Sequence, residues 1–198
     1  MGKDSANAAA LAAAMTAARA CTVCAAHLPL GPRPVLRGSV TARVMIVGQA
    51  PGTAVHATGV PWDDRSGDRL RQWLGVDRDT FYDAARIAIL PMGLCYPGRN
   101  PKGGDRPPRP ECAPLWHPRL MPLMPRVKLV LLVGQYAQRY YLGGAAPVAA
   151  RVRGFRAAPT GMFPLPHPSW RVTGWLQRNP WFEQDVLPEL RSRLHALL

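Results

Sequence analysis

Four apolar residues, Val44-Met45-Ile46-Val47, run without a polar interruption into Gly48-Gln49-Ala50-Pro51-Gly52. A run this short, rich in β-branched residues and apolar at every position, suits a strand buried on both faces, as in the parallel sheets of α/β proteins. Two glycines and a proline forbid its simple continuation, so the strand stops on a loop whose backbone N–H groups can be approached closely. In open α/β sheets the ligand lies at the carboxyl ends of the strands. This one stretch therefore constrains the layer architecture and the edge of the sheet at which chemistry can occur.

Three further strands are expected: Ile87–Leu90, Val127–Val133 closed by Gly134, and a short last one, Met162–Pro166, whose prolines suit a late start or a sheet edge. Helical patterns separate them. Ser66–Leu74 carries Leu70 and Leu74 inward with Asp68, Arg69 and Arg71 mostly outward, and Thr80–Ala84 follows a cap at Asp79. Glu111–Met124 reads as a helix broken by Pro114, Pro118 and Pro122, Gln135–Leu142 as a regular one, and Gly143–Thr160 as a basic loop. Trp170–Arg178 is stopped by Asn179-Pro180, and Val186, Leu190 and Leu194 mark a final amphipathic helix. The alternation predicts a three-layer α/β/α fold with a central, mainly parallel sheet of about four strands, and 198 residues suit a single domain spanning 1–198.

Residues 1–20 are alanine-rich. Alanine in place of leucine, Asp4 beside Lys3, and Arg19 where a cleavage region would fall favour a helix over a secretory leader, so a cytoplasmic, nucleoid-associated protein is expected. The 25 Lys and Arg outweigh 12 Asp and Glu to give a formal charge of +13, which implies an anionic partner such as nucleic acid. No run of 18 apolar residues offers a membrane span. From Pro91 to Pro118 eight prolines are interleaved with Arg99, Lys102, Arg106 and Arg109, a stiff basic loop suited to walling a metal site, to lying along a DNA backbone, or to both.

All four cysteines fall into one pattern, Cys21-x2-Cys24 and then Cys95-x16-Cys112. In a reducing compartment such a pair closes on a metal or cluster once the fold brings in its remote partners. An iron-sulfur cluster, zinc, and cysteines without metal are the three readings; His27 and His117 read as ordinary histidines.

Gly48-Gln49-Ala50-Pro51-Gly52, with Gly59-Val60-Pro61-Trp62 and Ser66-Gly67-Asp68-Arg69-Leu70, resembles the first motif of the uracil-DNA glycosylase superfamily. Pro166-His167-Pro168-Ser169 resembles its second, and the cysteine pattern is similar to that of the superfamily's iron-sulfur (family 4) type or a divergent branch near it. The resemblance extends from about Cys21 to Phe182. It implies a monofunctional enzyme that flips uracil out of single- or double-stranded DNA and hydrolyses its N-glycosidic bond, working as a monomer. It implies a structural [4Fe-4S] cluster on Cys21, Cys24, Cys95 and Cys112, with zinc or no metal as alternatives. His167 would be the side-chain donor to the departing base, assisted by the backbone at Gln49 and Ala50. Gly48, Pro51, Gly52, Trp62, Met92 and Ser169 would surround the base, and Pro168, Trp170 and Arg171 would meet the DNA.

Three departures accompany the match. Gln49 stands where the iron-sulfur type usually has Glu, Ala50 stands where the best-known relatives have a water-orienting Asp, and Pro91-Met92-Gly93-Leu94 lacks a base-reading Asn. Asp64, Asp63 and His56 are the nearby groups able to orient water. A non-catalytic or slowly releasing protein that binds uracil or abasic DNA is the competing reading.

Overall fold

The computed structural model describes residues 2–198. Its strands are β1 Val44–Val47, β2 Ile87–Ile89, β3 Leu129–Val133 and β4 Met162–Leu165, all parallel in the order β2-β1-β3-β4. The helices are α1 Gly2–Arg19, α2 Thr53–Thr58, α3 Arg65–Leu74, α4 Arg78–Tyr82, α5 Cys112–Leu120, α6 Gln135–Leu142, α7 Val148–Arg153, α8 Val172–Arg178 and α9 Leu187–His195.

The strict alternation of strand side chains divides the core in two. Val44, Ile46, Ile87, Ile89, Leu131 and Phe163 face the layer holding α3, α7 and α9, where Leu70, Leu74, Val152 and Leu190 complete the packing. Met45, Val47, Ala88 and Leu132 face the layer holding α1, α5 and α6, against Leu11, Met15, Trp116 and Ala137. Each fully buried Leu, Ile or Phe contributes about 1.5–3 kcal/mol relative to exposure. Continuous apolarity in β1 thus reflects two covered faces, and the result is the expected three-layer α/β/α arrangement.

β4 lies at the sheet edge, pairing among the described residues with β3 alone, which is how it accommodates Pro164 in register with Leu132. The buried amide of Gln138 donates to the carbonyls of Leu132 (3.2 Å) and Leu165 (2.8 Å), tying the ends of both strands to α6. α1 is the expected alanine-rich helix, buried through Leu11, Met15 and Ala18.

Several local expectations are corrected. α4 is capped by Asp77, which accepts the Thr80 N–H at 2.7 Å, and not by Asp79, which falls inside the first turn. The loop expected over Gly143–Thr160 contains α7, whose inward contact is Val152. Arg71, expected to point outward, is buried. Its guanidinium pairs with Asp68 at 2.5 Å, reaches the Tyr82 hydroxyl at 3.3 Å and lies over the Phe81 ring.

Candidate active site

The carboxyl ends of the strands open on one cavity of about 840 Å³. Gly48 to Gly52 enter its wall from β1, Pro91 from β2, Gly134 and Gln135 from β3, and His167 and Ser169 from β4. Trp62, Asp64 and Ser66 come from the α2–α3 segment. The N–H groups of Gln49 and Ala50 have no backbone acceptor among the described residues, so two bare donors stand in the wall.

Trp62 is the one described non-glycine residue with positive φ, 59°. Such a backbone costs on the order of 1–3 kcal/mol unless its surroundings hold it, and such strain clusters at functional sites. Three contacts hold it here. The Trp62 carbonyl lies against Gly67 so closely that a Cβ there would sit 1.7 Å from the oxygen. Arg71 donates to the same carbonyl at 3.4 Å. The indole covers Gly48, where a Cβ would come within 2.7 Å of its Cζ2.

His167 follows the end of β4, and its ring centre is 5.7 Å from that of Trp62. Gly134, at the end of β3, takes a positive φ of 86° and packs beside it, its Cβ position 3.4 Å from the His167 Cβ. Burial pushes the His167 pKa below the ordinary imidazole value, while the Asp64 carboxylate pulls the other way. The neutral imidazole that results at pH 7 can donate one N–H into the cavity.

Of the three water-orienting candidates, only Asp64 lines the cavity. One of its oxygens caps α3, accepting the Gly67 N–H at 2.8 Å. Asp63 is ion-paired with Arg78 at 2.8 Å, and His56 is not in the cavity wall. Met92 does not line the cavity either. Its N–H is committed to the Gly48 carbonyl at 2.9 Å and its side chain packs in the core. Pro168 is buried outside the cavity wall.

A family model for the Uracil DNA glycosylase superfamily matches residues 36–191. The chain belongs to that superfamily. The matched span contains every cavity-lining residue except Val35. Within this superfamily member, α3 pins both motif loops: Arg71 holds the Trp62 carbonyl, and Arg69 donates to the Ser169 carbonyl at 2.7 Å. Neither arginine was legible as a support, because each acquires its partner only through the tertiary fold.

Part of the same cavity wall is of a different character. Trp170 is 78% exposed, with the Arg171 guanidinium 5.5 Å from its ring centre. Arg171 also lies against Gly103 and Gly104, the tip of a small hairpin that carries Arg99, Lys102 and Arg106. Among the described residues no helix is long and apolar enough to cross a membrane.

The four cysteines, all with free thiols, line a second, smaller cavity together with Leu94, Arg109 and Trp116. Burial raises the Cys95 pKa to about 11 and that of Cys112 to about 12, and the Cys112 sulfur accepts the Leu94 N–H at 3.3 Å. Arg109 Nε and Trp116 Nε1 are buried in this wall without an acceptor among the described residues. Such orphaned donors beside four thiols suit an anionic sulfur-rich group, whose thiolates and sulfides accept hydrogen bonds. Among the described residues no three His, Cys, Asp or Glu side chains are gathered as a site for a metal ion.

Proposed function

We propose that the protein is a monofunctional uracil-DNA glycosylase, extruding uracil from DNA and hydrolysing its N-glycosidic bond to leave an abasic site. The observation that carries this reading is the convergence of His167, Trp62 and the bare amides at Gln49 and Ala50 on one cavity at the carboxyl edge of the sheet.

The reacting carbon is inaccessible inside a duplex, so the nucleotide is turned out into the cavity. The basic surface holds the phosphates, and exposed Trp170, with Arg171 beside it, fills the space the base leaves. Trp62 offers a flat apolar wall for the pyrimidine. As the bond to the sugar lengthens, positive charge develops on the deoxyribose and negative charge on the base. His167 donates a hydrogen bond to a uracil oxygen and the amides at Gln49 and Ala50 reinforce it, stabilising charge that exists only in the transition state. Gly48, Pro51 and Gly52 shape the floor and Ser169 the rim. Asp64 supplies negative charge near the electron-poor sugar.

The four cysteines are proposed to hold a [4Fe-4S] cluster, for which the two orphaned N–H groups of Arg109 and Trp116 are suitable donors. Bound there, it would cross-link the segment after α1, the loop after β2 and the start of α5. Neither bond-making nor proton transfer in the active cavity depends on it.

The test is conversion of a uracil-bearing oligonucleotide, single-stranded and duplex, to an alkali-labile product. Strand scission at the uracil supports the enzyme. Tight binding with no scission identifies instead a protein that recognises uracil or abasic DNA without cutting it.

A further inference from the structure

The cavity contains a carboxylate that the two motif loops do not provide. Residues 99–105 close a small hairpin: Arg99 bridges Asp105, the Asn100 N–H donates to the Gly104 carbonyl at 2.8 Å, and Gly103 and Gly104 take positive φ. The Gln49 side chain reaches the neighbouring Arg106 carbonyl at 3.5 Å, so the hairpin leans on the first motif loop. This geometry delivers the Asp105 side chain into the cavity wall above Gly52, where a Cβ on the glycine would meet Asp105 Oδ2 at 3.5 Å.

Two features separate Asp105 from the other acids nearby. Its carboxylate makes no hydrogen bond or ion pair with any described residue, whereas Asp63 is paired with Arg78 and Asp64 is tied to the Gly67 N–H. It also interrupts a basic hairpin, between Lys102 and Arg106, where a negative charge facing DNA weakens phosphate binding. A residue that opposes binding at this position needs a role in the reaction.

We propose that Asp105 is the general base that orients and deprotonates the attacking water, taking over from a different loop the task that Ala50 cannot perform. This rests on the glycosylase reading above. The carboxylate accepts a hydrogen bond from water at the open mouth of the cavity. As the bond between N1 and C1′ breaks, its electron pair leaves with the base, and the water oxygen bonds to C1′. The water proton passes to Asp105 and then to solvent, and the uracil anion takes up a proton in turn. Partial desolvation raises the Asp105 pKa, aided by the Asp64 charge and opposed by Arg99, which makes the carboxylate a better base. The charged and titratable groups around it are Arg99 on the paired side of the hairpin, Asp64 at the start of α3, Arg171 against Gly103 and Gly104, and the neutral His167 elsewhere in the wall.

The test combines single-turnover excision with binding to an oligonucleotide carrying non-cleavable 2′-fluoro-deoxyuridine, for the wild type and for Asp105→Asn, Asp105→Glu and Asp64→Asn. The expected result for Asp105→Asn is a rate loss on the order of 100-fold, with binding unchanged or tighter. Its acid limb in the pH–rate profile is lost, and part of the rate returns in Asp105→Glu. An Asp105→Asn rate within threefold of wild type with the same acid limb overturns the proposal. So does a loss of rate matched by an equal loss of binding, or a large loss in Asp64→Asn alone. A wild type that releases no uracil defeats the glycosylase reading itself and takes this role with it.

Discussion

The indole of Trp62 stands 5.7 Å from the imidazole of His167, ring centre to ring centre, with the planes tilted by 34°. The two belong to different motif loops, and the contact exists because α3 holds one end of each. Trp62 is fixed through Gly67 and Arg71, while the segment after His167 is fixed through Arg69 and the Ser169 carbonyl.

Gly67→Ala and Gly48→Ala separate fold from site. A Cβ at Gly67 collides with backbone, 1.7 Å from the Trp62 oxygen, so a loss of more than about 2 kcal/mol in urea unfolding is expected. The nearest atoms to a Cβ at Gly48 belong to the indole, at 2.7 Å, which can turn aside. Gly48→Ala should therefore remain folded, within about 1 kcal/mol of wild type, yet lose most of its excision activity.

The two arginines of α3 divide in the same way. Arg71→Ala leaves a cavity beneath Phe81 and Tyr82 and strips the Trp62 carbonyl of a donor, so a destabilisation of about 2–4 kcal/mol is expected. Arg69→Ala removes a more exposed contact and should cost under about 1 kcal/mol of stability. It loosens the Ser169 loop, and its effect should appear in the excision rate. Thermal denaturation and single-turnover kinetics of both variants check the pair.

The strands were legible because each is a short apolar run ending in a breaker, and burial on both faces makes such runs continuous. β1 matches its expected limits, and α6 does so because Gly134 and Gly143 bracket it. α7 was not legible: six residues with one buried side chain carry no periodic signal. Asp77 and Asp79 both resemble caps, and only the backbone chooses between them. The motif residues announced the cavity, whereas Asp105 and Gly134 did not, since a hairpin and a neighbouring strand bring them there. Arg71 was misread because arginine is usually exposed; its burial follows from partners that only folding assembles.

Stability should fall as the solution is acidified. Burial lowers the pKa of His117 and of His167, so below about pH 6.5 the unfolded chain binds more protons than the folded one. The advantage of the neutral rings is therefore complete above that pH and is lost as pH falls through the lowered folded values. His117 is locked in place, donating from Nε2 to the Pro91 carbonyl at 3.1 Å and accepting the Tyr141 hydroxyl at Nδ1. Unfolding free energies from urea titrations between pH 8 and 5 should decline, by at most about 1.4 kcal/mol per pH unit for each histidine. His117→Gln should flatten the decline; an unchanged slope would remove His117 as a cause.

Protein isolated without oxygen should be brown and carry about four irons with acid-labile sulfide per chain. Cys95→Ser and Cys112→Ser should lose both colour and thermal stability. Trp116→Phe should retain iron but shift the cluster's visible absorption, because an N–H donor is removed from its wall. Colourless protein with one zinc per chain would assign the thiols to a different ion.

DNA binding should weaken steeply with salt, since each phosphate neutralised releases counterions. Arg171→Ala should reduce the slope of log affinity against log salt by about one. A slope identical to wild type would take Arg171 off the DNA.

The most direct measurement is chromatographic detection of free uracil released in a single turnover by the wild type and by His167→Ala, with enzyme in excess over a uracil-bearing single strand. Wild-type release, with a loss of 100-fold or more in His167→Ala and little change in DNA affinity, is the predicted result. Equal release by the two proteins, or none by the wild type, would contradict the account.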